Sequence, residues 1–373
     1  MNLFKKVCGV FLLSFIAIIG LAQNKKAINV SLLLPFCSQQ ILDNPNHQNA
    51  ELGNVCREYY QGALIALDSF ENAKCKVRLC VFDTENDSLK TTTITQKTSF
   101  KESELIIGPV KPGGNQVVGA FSKKEKVFHV SPLMTLSKTK LNDPFWISAN
   151  PDLPSYGGIL LSQILLKDSQ PNIIVIADKS TFGKGLAAGF KNLDKKGATV
   201  KVLEYMPTLN VQTYINPNTN NHLVIASNSE SIVQFCLRNI KDTIAINGLH
   251  TYGFMQWFDF KNVDYPLYMR CNTHFISPFF VDYEHEFVKS FIKKYREKYN
   301  TDPTESAFKG YDQFLFFTNQ VALYGKNFVA ETSKNKSEGL TTRFVIRLQP
   351  EGWYQNIHLF ILALKDNKLK LVN

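Results

Sequence analysis

Four short segments carry the residue types that can recognise a ligand. Lys111-Pro112-Gly113-Gly114-Asn115 sets two adjacent glycines at the expected start of a helix, where bare backbone N–H groups favour an anion. Ser131-Pro132-Leu133-Met134-Thr135 offers two hydroxyls, each a donor and an acceptor. Asp178 to Gly185 contains Ser180 and the aromatic Phe182, and Ser227-Asn228 adds a hydroxyl and a carboxamide. The chemistry available is non-covalent: directional hydrogen bonds to a polar head and an aromatic wall for the rest. Lys111, Gly113, Gly114, Asn115, Ser131, Thr135, Ser180, Phe182 and Asn228 are therefore the expected ligand-binding residues.

Catalytic patterns are weak by comparison. Gly183-x-Gly185-x-x-x-Gly189 is a relaxed dinucleotide fingerprint, but it begins five residues beyond Asp178. Gly113-Gly114 lacks the Lys of a phosphate loop, and no G-x-S-x-G exists. Ser-x-x-Lys recurs at Ser137, Ser290, Ser306 and Ser333 without a Lys-Thr-Gly partner. The seven histidines form no H-x-H or H-E-x-x-H, so no metal-ligand spacing is present. His285 stands between Glu284 and Glu286, but neighbouring helix positions point apart. The expectation is a protein that is not an enzyme, with no metal and no cofactor.

Each candidate segment follows a short apolar run. Val30–Leu34, Val77–Phe82, Leu105–Ile107 and Val127–Val130 read as buried strands, separated by helices at 58–70, 91–102 and 115–124. The alternation restarts after Asn150-Pro151. Helices are expected at 156–166, 184–195, 229–240 and 282–299. Strands are expected at 172–177, 200–205, 223–226, 250–252 and 267–274. Strand, helix and strand in succession imply crossover units and parallel sheets covered on both faces. Two doubly wound, Rossmann-like α/β lobes follow, and in such sheets ligands sit beyond the carboxyl ends of the strands.

A length of 373 residues fits two domains, and 44% hydrophobic content allows a real core. Met1 to Ala22 has the form of a cleavable export signal: Lys5 and Lys6, an uncharged run to Leu21, and small residues before Gln23. Cys8 lies inside the apolar run, so a lipoprotein is not expected. Removing two Lys from the formal +10 leaves +8 on the exported chain. Its basic residues are scattered in pairs such as Lys123-Lys124 and Lys195-Lys196, as on solvated helix faces, and no nucleic-acid motif occurs. The cysteines at 37, 56, 75, 80, 236 and 271 leave pairing open in an oxidising compartment. A Cys37–Cys56 bridge would staple the polar stretch 38–54. Cys75 and Cys80 have opposite parity in one strand and should not pair.

The order of segments resembles the type I periplasmic-binding-protein fold, in its branched-chain amino-acid-binding branch of ABC-transporter receptors. The resemblance runs from Asn29 to the C-terminus. It rests on Tyr59-Tyr60-Gln61-Gly62-Ala63, Ile106-Ile107-Gly108-Pro109, Val130-Ser131-Pro132, Ala149-Asn150-Pro151, Phe182-Gly183-Lys184-Gly185, Phe291-x-x-x-Tyr295-x-x-x-Tyr299, Pro303 and Gly310-Tyr311-Asp312. Gly253-x-x-x-Trp257 and Gly352 to Asn356 resemble an envelope-associated subgroup. The resemblance implies three passages between lobes, near Ser148, Phe275 and Gly325. The lobes would then be 27–147 plus 276–325 and 148–275 plus 326–373, closing on a ligand by hinge bending. It implies a periplasmic, non-catalytic receptor for a small polar, amino-acid-like solute, working with ABC-transporter membrane subunits. The alternative it implies is a cell-envelope interaction protein, for example one modulating peptidoglycan synthesis, that uses the fold without transport. This chain departs from the amino-acid-binding pattern at three places. The loop 111–115 has no hydroxyl, Leu133 and Met134 replace small residues, and Phe182 stands where Tyr is common.

Overall fold

The computed structural model describes residues 27–71, 76–133, 142–191, 197–240, 248–332, 334, 337–365 and 368–372. The export-signal reading of Met1 to Ala22, Cys75, Met134, Thr135 and the Lys195-Lys196 pair lie outside the described residues.

The first lobe begins β1 (Ile28–Leu34), α1 (Ser38–Asp43), α2 (Ala50–Glu71), β2 (Val77–Asp83), α3 (Ser88–Gln96), α4 (Thr98–Lys101), β3 (Leu105–Ile107), α5 (Pro112–Glu125), β4 (Phe128–Ser131) and β5 (Trp146–Ser148). The second contains α6 (Leu153–Lys167), β6 (Asn172–Ala177), α7 (Thr181–Lys191), β7 (Thr199–Glu204), β8 (Asn221–Ala226), α8 (Glu230–Arg238), β9 (Leu249–Phe254), α9 (Tyr265–Arg270) and β10 (Thr273–Ser277). The chain then returns to the first lobe through α10 (Glu286–Tyr299), α11 (Glu305–Tyr324) and α12 (Phe328–Thr332). The short strands β11 (Ser337–Glu338), β12 (Arg343–Phe344), β13 (Ile346–Leu348) and β14 (Tyr354–Asn356) follow. It ends in the second lobe with β15 (Phe360–Lys365) and β16 (Lys368–Leu371).

Two seven-stranded sheets result, ordered β13-β14-β5-β4-β3-β1-β2 and β16-β15-β10-β9-β8-β6-β7. Both are parallel apart from β13 and from the β15–β16 edge. Residue parity shows the cover on both faces of the first sheet. Leu32 and Leu34 join the core under α2 and α11, whereas Leu33 and Ile106 join a second cluster with Ile94, Phe100 and Val118. Helix packing is closest where glycines remove side chains. A Cβ on Gly62 would lie 1.9 Å from the Ala307 oxygen, and one on Gly310 1.9 Å from the Tyr59 oxygen, so α2 and α11 cross backbone to backbone. Gly157 and Gly189 serve α6 and α7 in the same way.

Three sequence expectations change. Residues 267–274 are the helix α9 followed by β10, because Asp264 caps the helix through Leu267 N–H and Pro266 sits in its first turn. The third passage between sheets falls at 357–359 rather than near Gly325. The reason is that β14 pairs with β5 and keeps 343–356 on the first sheet. The Cys37–Cys56 staple is not formed; both thiols are free and fully buried.

Candidate functional site

The topological switch point of the first sheet lies between β1 and β3, and that of the second between β6 and β8. Crevices at such points are the ligand sites of open α/β sheets. The expected residues divide between the strand ends around them.

In the first lobe, Lys111 is the exposed N-cap of α5, with Pro112 at its first position. Gly113 is exposed and faces Ser88, where a Cβ would come within 2.4 Å of the hydroxyl. Gly114 packs on Pro109, so its lack of a side chain allows close packing of the loop on the helix. Asn115 is completely buried. Its amide donates to the Pro109 and Lys111 carbonyls, both at 2.9 Å, so it clamps the loop from within and does not face a cleft. Ser131 ends β4 and is buried, in register with Ser148. The following Pro132 carbonyl accepts from Asn150 Nδ2 at 2.8 Å and Gln313 Nε2 at 3.1 Å, and Tyr59 donates to Gln313 at 2.8 Å. Thus the first passage, α11 and α2 together fix the end of β4.

A carboxylate orders the other side of this switch point. Asp83, at the end of β2, accepts from the backbone N–H groups of Cys37 (3.1 Å), Ser38 (3.0 Å) and Glu85 (2.9 Å). Burial, reinforced by Asp83 and Glu85, pushes the Cys37 thiol up to about 11. Burial pushes Cys56 up to about 12. Both stay protonated near neutrality, without the thiolate that nucleophilic or metal chemistry needs.

In the second lobe, Asp178 follows β6 and joins three elements. It accepts from Ser180 N–H at 3.0 Å, from the Ser180 hydroxyl, and from Ser227 Oγ at 2.5 Å. The Ser227 bond spans the β6/β8 switch point. Ser180 Oγ in turn accepts from Gly183 N–H at 3.0 Å. Ser180 and Asn228 are exposed. Phe182 is half-buried and meets Phe254 edge-on, with centroids 4.7 Å apart. Trp257 Nε1 donates to the Ser227 carbonyl at 3.0 Å, which fixes the end of β8. The Gly183/Gly185/Gly189 series now has a packing explanation. Gly183 lies against Asp178 and Ala226, Gly185 against Leu153, and Gly189 against Pro154.

Sequence reading missed Asp83, Asp178, Ser227, Trp257 and Gln313 as organisers of the strand ends. Asp83 and Asp178 were visible as acids closing apolar runs; nothing local marked Gln313. Among the described residues, no group of three His, Cys, Asp or Glu is placed to hold a metal ion, and no helix is long and apolar enough to cross a membrane.

Two α/β lobes, joined by three passages and with paired switch points, have counterparts among solved structures. A protein described as a branched-chain amino acid ABC transporter from Rhodospirillum rubrum has a TM-score of 0.65 at 17% identity. The match covers 93% of this chain and 100% of that one. The fold is that of the type I periplasmic binding proteins. A branched chain amino acid ABC transporter periplasmic ligand-binding protein from Burkholderia xenovorans matches at 0.58 and 12% identity, over 93% of this chain and 94% of that one. An ABC transporter substrate-binding protein from Desulfitobacterium hafniense, in complex with Leu, matches at 0.53 and 14%, over 93% and 100%. No protein-family model and no curated protein sequence matches the chain.

Proposed function

We propose that this chain is an exported, non-catalytic solute receptor that binds a small polar, amino-acid-like molecule between its lobes. The observation that carries the reading is the Asp178–Ser227 bond across the β6/β8 switch point, beside the exposed Ser180 and Asn228. The Ser180 hydroxyl spends its proton on Asp178 and one lone pair on Gly183 N–H, so it offers a ligand one fixed acceptor, and the Asn228 carboxamide stands exposed on the other loop. Phe182 supplies an apolar wall. On the opposing lobe, the N–H groups of Gly113 and Gly114 at the start of α5 favour the ligand's anionic end. Thr135 is the hydroxyl expected on this side, since Ser131, like Asn115, is fully buried. The lobes would close by bending at 149–152, 278–285 and 357–359, the passages between sheets. The solved structures of the same fold, one in complex with Leu, support an amino-acid-like ligand. The Met1 to Ala22 pattern supports export to the periplasm and delivery to ABC-transporter membrane subunits.

Native mass spectrometry of the exported chain, purified without refolding, tests this reading. A discrete added mass in the range of a small metabolite, lost on denaturation, is the expected result. A protein that is empty, and that no member of an amino-acid and organic-acid library stabilises thermally, would overturn it.

A further inference from the structure

A concavity lies apart from the strand ends at both switch points. About 1290 Å³ in volume, it is enclosed by the 280–294 segment, α11, residues 337–344 and β16. None of the eight described strand-end residues lines it. Ordinary small-molecule pockets hold roughly 300–1,000 Å³, so this one suits a longer occupant.

Two of its borders are strand edges. Lys368, Leu369, Lys370 and Leu371 all line it. Side chains alternate faces along a strand, so four consecutive residues border one cavity only when the strand's edge faces it. β16 is the terminal strand of its sheet, hydrogen-bonded to β15 alone among the described strands. Residues 337–344, which contain the β11–β12 pair, line the cavity in the same unbroken way. Between these edges lie Phe280, Phe291, Phe316, Phe344 and Phe360, with Phe287 72% exposed at the rim.

We propose that this groove binds an extended peptide segment of a partner protein, added as a strand along β16, in which acidic and apolar residues alternate. The complement is written in β16 itself. Lys368 and Lys370 share one face, and Leu369 and Leu371 the other. Opposite charges directly across a ladder attract and like charges repel. Lys368 is held only loosely, 4.0 Å from Glu284. Leu369 packs on the second-lobe core, so apolar residues beside it extend an existing layer. Other occupants fit less well. A second copy pairing antiparallel through β16 sets Lys against Lys. The chain's own first 26 residues contain no acid and end in Lys25-Lys26.

The test is fluorescence anisotropy of the exported chain with three labelled, capped octapeptides: four Glu-Val repeats, four Lys-Val repeats, and the Glu-Val series with proline at one central Val. The Glu-Val peptide should bind at least tenfold tighter than the Lys-Val peptide. Proline should abolish binding, because it lacks a ladder N–H. The double variant K368E/K370E should reverse the charge order, and it should fold normally because both residues are exposed. Amide exchange at 368–371 should slow in the complex. Absence of Glu-Val binding, binding insensitive to proline, or binding unchanged by the double variant each overturns the proposal. So does self-association through β16 on sizing. A protein that binds the peptide but retains no solute upholds this proposal and fails the receptor reading, since no strand-end residue of the solute site lines the groove and only the 280–285 stretch of the second passage is common to both.

Discussion

The two lobes solve the same packing problem with the same device and then finish their strand ends differently. Gly62 and Gly310 bring α2 against α11, and Gly157 and Gly189 bring α6 against α7. Beyond that the designs diverge. The first lobe turns its amide side chains inward. Asn115, Asn150 and Gln313 all donate to backbone carbonyls, and Asp83 accepts three backbone N–H groups. The second lobe binds its loops through one carboxylate, Asp178, and leaves Ser180 and Asn228 in solvent. One lobe therefore presents rigid backbone, the other presents side chains. A ligand between them would be gripped by N–H groups on one side and selected by side chains on the other.

The largest effects should come where the lobes agree. Gly310→Ala and Gly189→Ala each place a Cβ about 2 Å from a backbone oxygen, and the helices must separate. Each should cost about 3 kcal/mol through overpacking. Calorimetric melting of the two variants checks this. A shift of only a degree or two for either would show that its helix pair is looser than the glycines suggest.

Acid should separate the lobes next. The second sheet carries a ladder of imidazoles at the start of its strands. His222 and His250 stack at 5.1 Å, His250 and His274 lie 5.5 Å apart, and His222 meets Tyr252 at 3.0 Å and Asp168 at 3.2 Å. Burial lowers the pKa of all three, that of His274 to about 4. A histidine depressed in the fold lends stability above its unfolded pKa, near 6.5, and loses it as pH falls. At pH 5, His274 alone would forfeit about 2 kcal/mol. In the first lobe, burial lowers buried His129 to about 3, but Asp312 has the opposite sign. Burial lifts Asp312 to about 6 despite hydrogen bonds from residues 340–342. A raised carboxyl is favoured protonated in the fold, so acidification from pH 6 towards 4 stabilises there and offsets His129. Hydrogen exchange at pH 5 against pH 7 should therefore open β8–β10 before β3–β5. Equal loss of protection in both sheets would remove the distinction.

Legibility in the sequence follows the same divide between local and distant causes. β6 was read at its true bounds because Asn172–Ala177 is a buried run. The first two turns of α2 were missed because Glu51, Asn54 and Arg57 are exposed and mask the buried Gly53 and Cys56. The helix α11 escaped because Phe314, Phe316, Phe317 and Thr318 are all buried, which erases the polar stripe that a 3.6-residue period needs. β14 pairs with β5, some two hundred positions earlier, and the imidazole ladder exists only once parallel strands are in register. At the candidate site, position at the strand ends was readable. Which side chains turn inward, as Asn115 does, was not, because that depends on the carbonyls left over by the loop.

Asp83→Ala and Asp178→Ala test the divide at the strand ends. Removing Asp83 strands three backbone N–H groups and should cost about 2 kcal/mol with little change in solute affinity. Removing Asp178 frees the Ser180 and Ser227 loops and should weaken solute binding at least tenfold, about 1.4 kcal/mol. Titration calorimetry with the solute identified by mass spectrometry reads both. Equal affinity losses would mean that the two lobes contribute alike and that side-chain selection is not confined to the second.

The finest comparison sets two asparagines against each other. Asn115 is buried with its amide on two carbonyls; Asn228 is exposed beside Ser227. Asn115→Ala removes both bonds and should lower stability by about 1–2 kcal/mol. Its effect on affinity should be slight, because the N–H groups of Gly113 and Gly114, which the proposed site offers to the ligand, remain. Asn228→Ala should leave stability within about 0.5 kcal/mol. Solute affinity should fall a fewfold, since one neutral hydrogen bond at an exposed site contributes about 0.5–1.5 kcal/mol. Melting and titration of the same two preparations give four numbers, and the crossed pattern is the expectation. If Asn115→Ala instead takes affinity and leaves the melting point unchanged, the buried amide is reporting ligand contact. The inward-turned picture of the first lobe then fails at the residue that best exemplifies it.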